Sequence, residues 1–177
     1  FGGDSWFDTG NTNPTTLAES VADNDYIEFI VTPAGGYTYT PTSLVFNWDL
    51  SSVGPYSVTL RSSNDGFISD LGSVTGLLPG NIAVVNTINI SGLNGLAVAT
   101  TFRLYGYEAY STTGTGGFDV ASNMVNVQLN GTVTPPTSSS SDYFRSVTSG
   151  DWSAVGTWES SSVADFSSDV ANPATLV

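Results

Sequence analysis

The chain contains no cysteine, no histidine and no lysine, and only three arginines stand against sixteen acidic residues. Each absence removes chemistry. Without Cys or His there is no thiol nucleophile, no Ser-His-Asp triad, no imidazole base and no ordinary zinc site. Without Lys there is no P-loop lysine and no Schiff base, and a formal charge of −13 repels a polyphosphate backbone. Nucleic acid is therefore not an expected partner. Carboxylates are the acid–base groups that remain, and no pair of them stands out as the two acids of a glycosidase. The expectation is that the chain is not an enzyme. No apolar run is long enough to span a membrane, so membrane insertion is not expected either. With disulfides excluded, stability has to come from packing; no cofactor is required, and structural calcium is the candidate supplement for so acidic a chain.

What is present is strand signal. Short runs rich in Val, Ile, Thr, Tyr and Phe alternate in polarity and are divided by Gly, Pro, Asn, Asp and Ser. The best helical window, Leu17 to Ala22, is too short to be more than a turn beside a β core. Strands are expected at Tyr26–Val31, Ser43–Leu50, Tyr56–Ser62, Ile68–Val74, Ile82–Ile90, Thr100–Tyr107, Phe118–Val120 and Met124–Leu129. The two-residue period assigns Leu44, Phe46 and Trp48 to the core, with Tyr56, Val58, Leu60, Phe102, Leu104, Val125, Val127 and Leu129. It turns Thr59, Arg61, Arg103, Tyr105 and Tyr107 outward. Asn64-Asp65-Gly66 is a hairpin signal, because these residues tolerate positive φ. The Gly-rich stretch Thr112–Gly117 reads as a flexible loop, since a phosphate cradle would need a following helix and a Lys. About eight strands at this spacing suit an all-β fold, a two-sheet antiparallel β-sandwich of jelly-roll type, with a barrel as the structural alternative.

Thr134-Pro135-Pro136-Thr137, followed by Ser138 to Ser141, reads as a linker, because prolines stiffen it and serines pack no core. The expected organisation is a sandwich module over 1–133, a linker over 134–142, and over 143–177 the truncated start of a further domain or a docking segment. The chain starts at Phe1 and is read as a processed or excised piece, whose targeting signals lie outside it.

Asp25-Tyr26-Ile27-Glu28-Phe29, Gly54-Pro55, Leu60 to Phe67, Thr101 to Tyr107 and Leu129-Asn130-Gly131-Thr132-Val133 together resemble a recurrent jelly-roll module of secreted multidomain proteins of the Bacteroidetes, particularly type IX secretion cargo. Tyr143-Phe144-Arg145-Ser146, Gly150-Asp151-Trp152 and Gly156-Thr157-Trp158-Glu159 resemble the opening of modules that follow such linkers in surface proteins. The resemblance implies a secreted or cell-surface location, the secretion machinery and neighbouring domains of the same polypeptide as partners, and adhesin-like or carbohydrate-binding-module-like service.

The candidate ligand-binding residues are Arg61, Arg103, Tyr105 and Tyr107, with Trp6 as a further aromatic. Aromatic rings stack on the apolar faces of sugars, while Arg donates planar hydrogen bonds to hydroxyls or acidic groups. The plainer reading makes the two arginines partners of neighbouring carboxylates. Phe7, Trp48 and Tyr110 complete a second aromatic set, in which Trp48 is assigned to the core. Asp4, Glu19, Asp23, Asp25 and Asp119 are the candidate oxygen ligands for calcium, although their spacing is not that of an EF-hand and a solvated acidic surface is the plainer reading. Three functions follow in order: a non-catalytic adhesion or binding module for an extracellular polysaccharide or glycan, a passive spacer or repeat of a surface adhesin or filament, and an accessory domain of a polysaccharide-degrading enzyme.

Overall fold

A computed structural model describes residues 13–80, 84–118, 127–139 and 141–174. It begins with the helix α1, Leu17–Asp23, which a capping box starts: Glu19 N donates to Thr16 Oγ1 (3.3 Å) and Thr16 N donates to Glu19 Oε2 (3.0 Å). Asn24, in the left-handed conformation, ends it. Asp25 N and Ser20 Oγ then close the helix end onto the first strand, the former donating to Ser20 O and the latter to Asp25 O. The helical window is thus real and about two turns long.

Among the described residues ten strands follow: β1 (Tyr26–Val31), β2 (Thr38–Leu50), β3 (Ser57–Ser62), β4 (Gly72–Val74), β5 (Val85–Asn89), β6 (Thr100–Tyr107), β7 (Gly116–Phe118), β8 (Val127–Thr134), β9 (Tyr143–Ser146) and β10 (Trp158–Ser161). The chain divides into two compact units. One comprises the described residues up to Val31 with 41–93 and 100–131; the other comprises 32–40, 94–99 and the described residues from 132 onward.

The first unit is the expected two-sheet antiparallel β-sandwich. One sheet has the order β1-β6-β3-β4, and the other is β5-β2-β7 with β8 also paired to β2. The chain passes from sheet to sheet through β1, β2 and β3, and again through β4, β5 and β6, which is jelly-roll winding. Alternation decides the core. Leu44, Phe46 and Trp48 of β2 and Ile88 of β5 meet Val58 and Leu60 of β3 and Phe102 and Leu104 of β6, all essentially without solvent contact. Phe46, Trp48 and Phe118 form a cluster of edge-on rings with centroids 5.7–6.0 Å apart. Gly72 is where β4 comes against the second sheet: a Cβ there would lie 2.7 Å from both Asn89 O and Ile88 Cγ2, so no side chain fits.

Several local expectations are corrected. The strand expected from Ile68 starts at Gly72, because Asp65 accepts from Ile68 N (3.1 Å) and Ser69 N (2.8 Å) and holds the chain in a turn, leaving Ile68 exposed. Thr112–Gly117 is not all loop: Gly116 and Gly117 belong to β7, opposite Leu50 and Asp49. Tyr56 packs edge-on against Tyr110 (5.2 Å) and is half-buried rather than central. Val127, expected inside, is exposed, and Leu129 is half-buried. Thr59 lies on the outer face but is fully buried, for reasons given below. Val125 lies outside the described residues.

In the second unit β9 and β10 form an antiparallel pair, and Ala171 is bridged to Ser160 by reciprocal backbone bonds of 2.9 and 3.0 Å. Ser160, Ser161, Ala171 and Ala174 are buried there. Tyr39 and Leu96 exchange two backbone bonds in the same unit. The residues read as a linker take part as well, with Ser160 Oγ donating to Ser138 Oγ (2.8 Å).

Candidate functional site

Because Ile27, Phe29, Val58, Leu60, Phe102 and Leu104 alternate toward the core side of their strands, the residues between them share the outer face of the β1-β6-β3-β4 sheet. Antiparallel register then sets the neighbours. Glu28, Arg103 and Arg61 form one cross-strand row, and Tyr26, Tyr105, Thr59 and Ser73 form the next. The tertiary structure therefore brings together four of the ligand-binding candidates, Arg61, Arg103, Tyr105 and Tyr107, on adjacent strands β3 and β6.

Two like charges directly opposite each other destabilise a sheet unless each finds an anion. Each does. Arg103 Nε donates to Glu28 Oε2 at 2.8 Å, and Arg61 Nε donates to Asp70 Oδ1 at 2.7 Å while its Nη1 donates to Phe67 O at 3.1 Å. The Arg103 guanidinium also packs on the rings of Phe67 (3.9 Å) and Tyr26 (4.1 Å), and Arg61 lies 5.9 Å from the Tyr105 centroid. Partial burial works against the charge of Arg103, but the bonds to Glu28 and Tyr105 outweigh it and hold the pKa above its ordinary value.

Phe67 reaches this position through a left-handed backbone (φ 63°), uncommon for an aromatic residue. Its N–H donates to Ser62 O at 2.9 Å and its carbonyl accepts from Arg61, so the turn is tied at both ends. Tyr105, expected to project outward, is 2 % exposed. It is enclosed by the Tyr26 edge at 5.4 Å and by the Arg61 guanidinium. Thr59 is buried beside it, bonded to Ser73 Oγ (2.8 Å) and to Tyr107 OH (3.3 Å). Tyr107 remains half-buried. The result is a strip whose cations, rings and hydroxyls are largely engaged with one another.

The calcium candidates have other local roles. Glu19 Oε2 accepts from Thr15 N, Thr15 Oγ1 and Thr16 N, and these bonds, those from the Thr15 side chain first, hold its pKa below the ordinary value. Asp25 is buried where helix gives way to strand, and Asp23 is half-buried in the last turn of α1. Among the described residues no three acids come together in a metal-binding group. Trp6, Asp4 and Asp119 lie outside the described residues.

Sequence reasoning missed Tyr26, Glu28, Phe67 and Asp70 as members of the strip. A signal existed for the first two, since Tyr26 and Glu28 alternate with Ile27 and Phe29. None existed for Phe67 and Asp70, which a turn brings back over the sheet. No family model, no curated protein and no solved structure matches this chain.

Proposed function

We propose that the chain is a non-catalytic adhesion module of a secreted or cell-surface bacterial protein, and that the sandwich is its rigid carrier. The observation that carries this reading is the engagement of both sandwich arginines: each is ion-paired to a carboxylate and laid against aromatic rings. Such contacts stabilise a sheet surface by roughly 0.5–2 kcal/mol for each cation–aromatic pair, which suits the face of a carrier. The lack of His, Cys and Lys supports a non-catalytic role independently of geometry.

Retention of the chain on immobilised extracellular polysaccharide, compared between wild type and Arg103→Gln, tests the carrier role. The expected result is a lower melting temperature with unchanged retention. Loss of retention at an unchanged melting temperature would transfer the role to sugar contacts by Arg103 and Tyr107 on the sheet itself. Release of reducing ends from the polysaccharide would refute the non-catalytic reading.

A further inference from the structure

We propose that an open cleft in the second unit, beside the end of β9 and the turn before β10, binds neutral sugar rings of a polysaccharide, with Trp152 as the stacking platform. This rests on the adhesion reading above and gives it a site and a ligand class. The cleft has a volume of about 580 Å³, within the ~300–1,000 Å³ usual for small-molecule sites. Ser146, Thr148, Ser149 and Thr157 supply hydroxyls to its lining, and Trp152 and Trp158 supply rings.

Two observations select the ligand. None of the residues lining the cleft is ionisable, although the chain carries sixteen acids and three arginines. A charged group on this lining would meet hydroxyls and rings and no counter-charge from it, which favours an occupant that is neutral and rich in hydroxyls. The second observation is Trp152 itself, 73 % exposed, with the Trp158 ring edge-on at 4.4 Å. A Trp so placed presents a broad apolar face beside hydrogen-bonding groups, and a pyranose ring has the matching form: C–H bonds on its faces and hydroxyls around its rim.

The cleft is held in shape by its own bonds. Trp158 Nε1 donates to Trp152 O (2.9 Å), Thr157 Oγ1 donates to Asp151 O (3.2 Å), and Val147 N donates to Thr157 O (2.9 Å). A short 3-10 turn at Val155–Thr157 joins the Trp152 loop to β10. Gly150 permits the close approach on the other side, since a Cβ there would stand 2.5 Å from Thr157 Oγ1. A site held before binding loses less conformational freedom when it binds.

The test uses the full 177-residue chain in affinity electrophoresis through gels containing laminarin, mannan, xylan or dextran, with alginate and polygalacturonate as acidic comparisons. The expected result is retardation by at least one neutral polymer and by neither acidic one. Trp152→Ala should weaken that interaction about tenfold or more, the loss typical of removing a central aromatic anchor, and Trp152→Tyr should restore most of it. Gly150→Ala, which disturbs the cleft without removing a ring, should weaken it as well. Circular dichroism and the melting temperature of each variant separate lost binding from lost fold.

Retardation by a neutral polymer that Trp152→Ala leaves intact would overturn the site while sparing the adhesion reading. Retardation by no polymer would overturn both. Retardation confined to the acidic polymers would overturn the ligand class. Self-association of the wild-type chain that Trp152→Ala abolishes, without retardation, would show the ring to be a protein contact instead.

Discussion

The sandwich strip and the tryptophan cleft use similar side chains to opposite ends. On the strip, Tyr26, Phe67 and Tyr105 are laid against two arginines, and both arginines are bonded to carboxylates. In the cleft, Trp152 keeps most of its surface in water and none of the lining residues is ionisable. The difference is one of satisfied capacity. Rings that meet a paired cation add to fold stability, whereas a ring left open among neutral hydroxyls has its contacts still to make.

Truncating one ring in each region contrasts them most sharply. Tyr105→Ala should cost about 3 kcal/mol in urea unfolding, because a nearly fully buried aromatic leaves a cavity and strips Arg61 and Thr59 of their cover. A loss below about 1 kcal/mol would mean that the strip is not a stabilising device. Glu28→Gln comes next. It leaves Arg103 opposite Arg61 without its carboxylate, and the expected cost is about 0.5–1 kcal/mol. That cost should change on going from 0.05 to about 1 M NaCl, as expected of a partly exposed pair; an identical cost in both would point to lost packing.

Acid should weaken both units. Bonds from the Ser69 side chain and backbone lower the pKa of Asp65 in the strip's turn, and bonds from Ser167 and Ser162 do the same for Asp165 and Asp169 in the second unit. Each carboxylate binds fewer protons folded than unfolded. Its stabilisation is complete above the ordinary carboxylate pKa, about 4, and is lost as the pH falls through the depressed folded value. Thermal melts should therefore change little between about pH 6 and 8 on account of these groups and fall below about pH 4. Asp65→Asn should remove part of that fall and loosen the turn that carries Phe67. The smallest effect belongs to Trp152→Ala, which should change stability by less than about 0.5 kcal/mol, as expected for a surface position. A larger cost would show that the ring supports the second unit rather than a ligand.

Much of the sandwich was legible because its signals are local. Tyr26–Val31 and Thr100–Tyr107 were bounded correctly by composition and breakers, and Leu44, Phe46 and Trp48 were placed inside by period alone. The candidate site was legible only as a face. Alternation put Arg61, Arg103, Tyr105 and Tyr107 on one side of their strands, but burial on that side depends on what folds over it. The turn at Gly66–Phe67 brings a ring onto Arg103, and no period or motif announces where that ring will land. The start of β7 was expected at Phe118, two residues late, for a related reason: Gly116 and Gly117 have low strand propensity and pair because β2 offers them an edge.

By itself, the sequence determined the chemical inventory, the strand periods and the composition of the core, since these follow from which atoms are present and how a two-residue repeat distributes them. Only the tertiary structure decided which outward residues are spent and which stay open. Cross-strand register set Arg103 against Glu28 and Arg61, the Tyr26 ring and the Arg61 guanidinium closed over Tyr105, and a hydrogen-bonded loop left Trp152 beside a cleft with no ionisable lining residue. Those outcomes depend on contacts between residues distant in the chain or held by a particular turn, and neither composition nor periodicity encodes them.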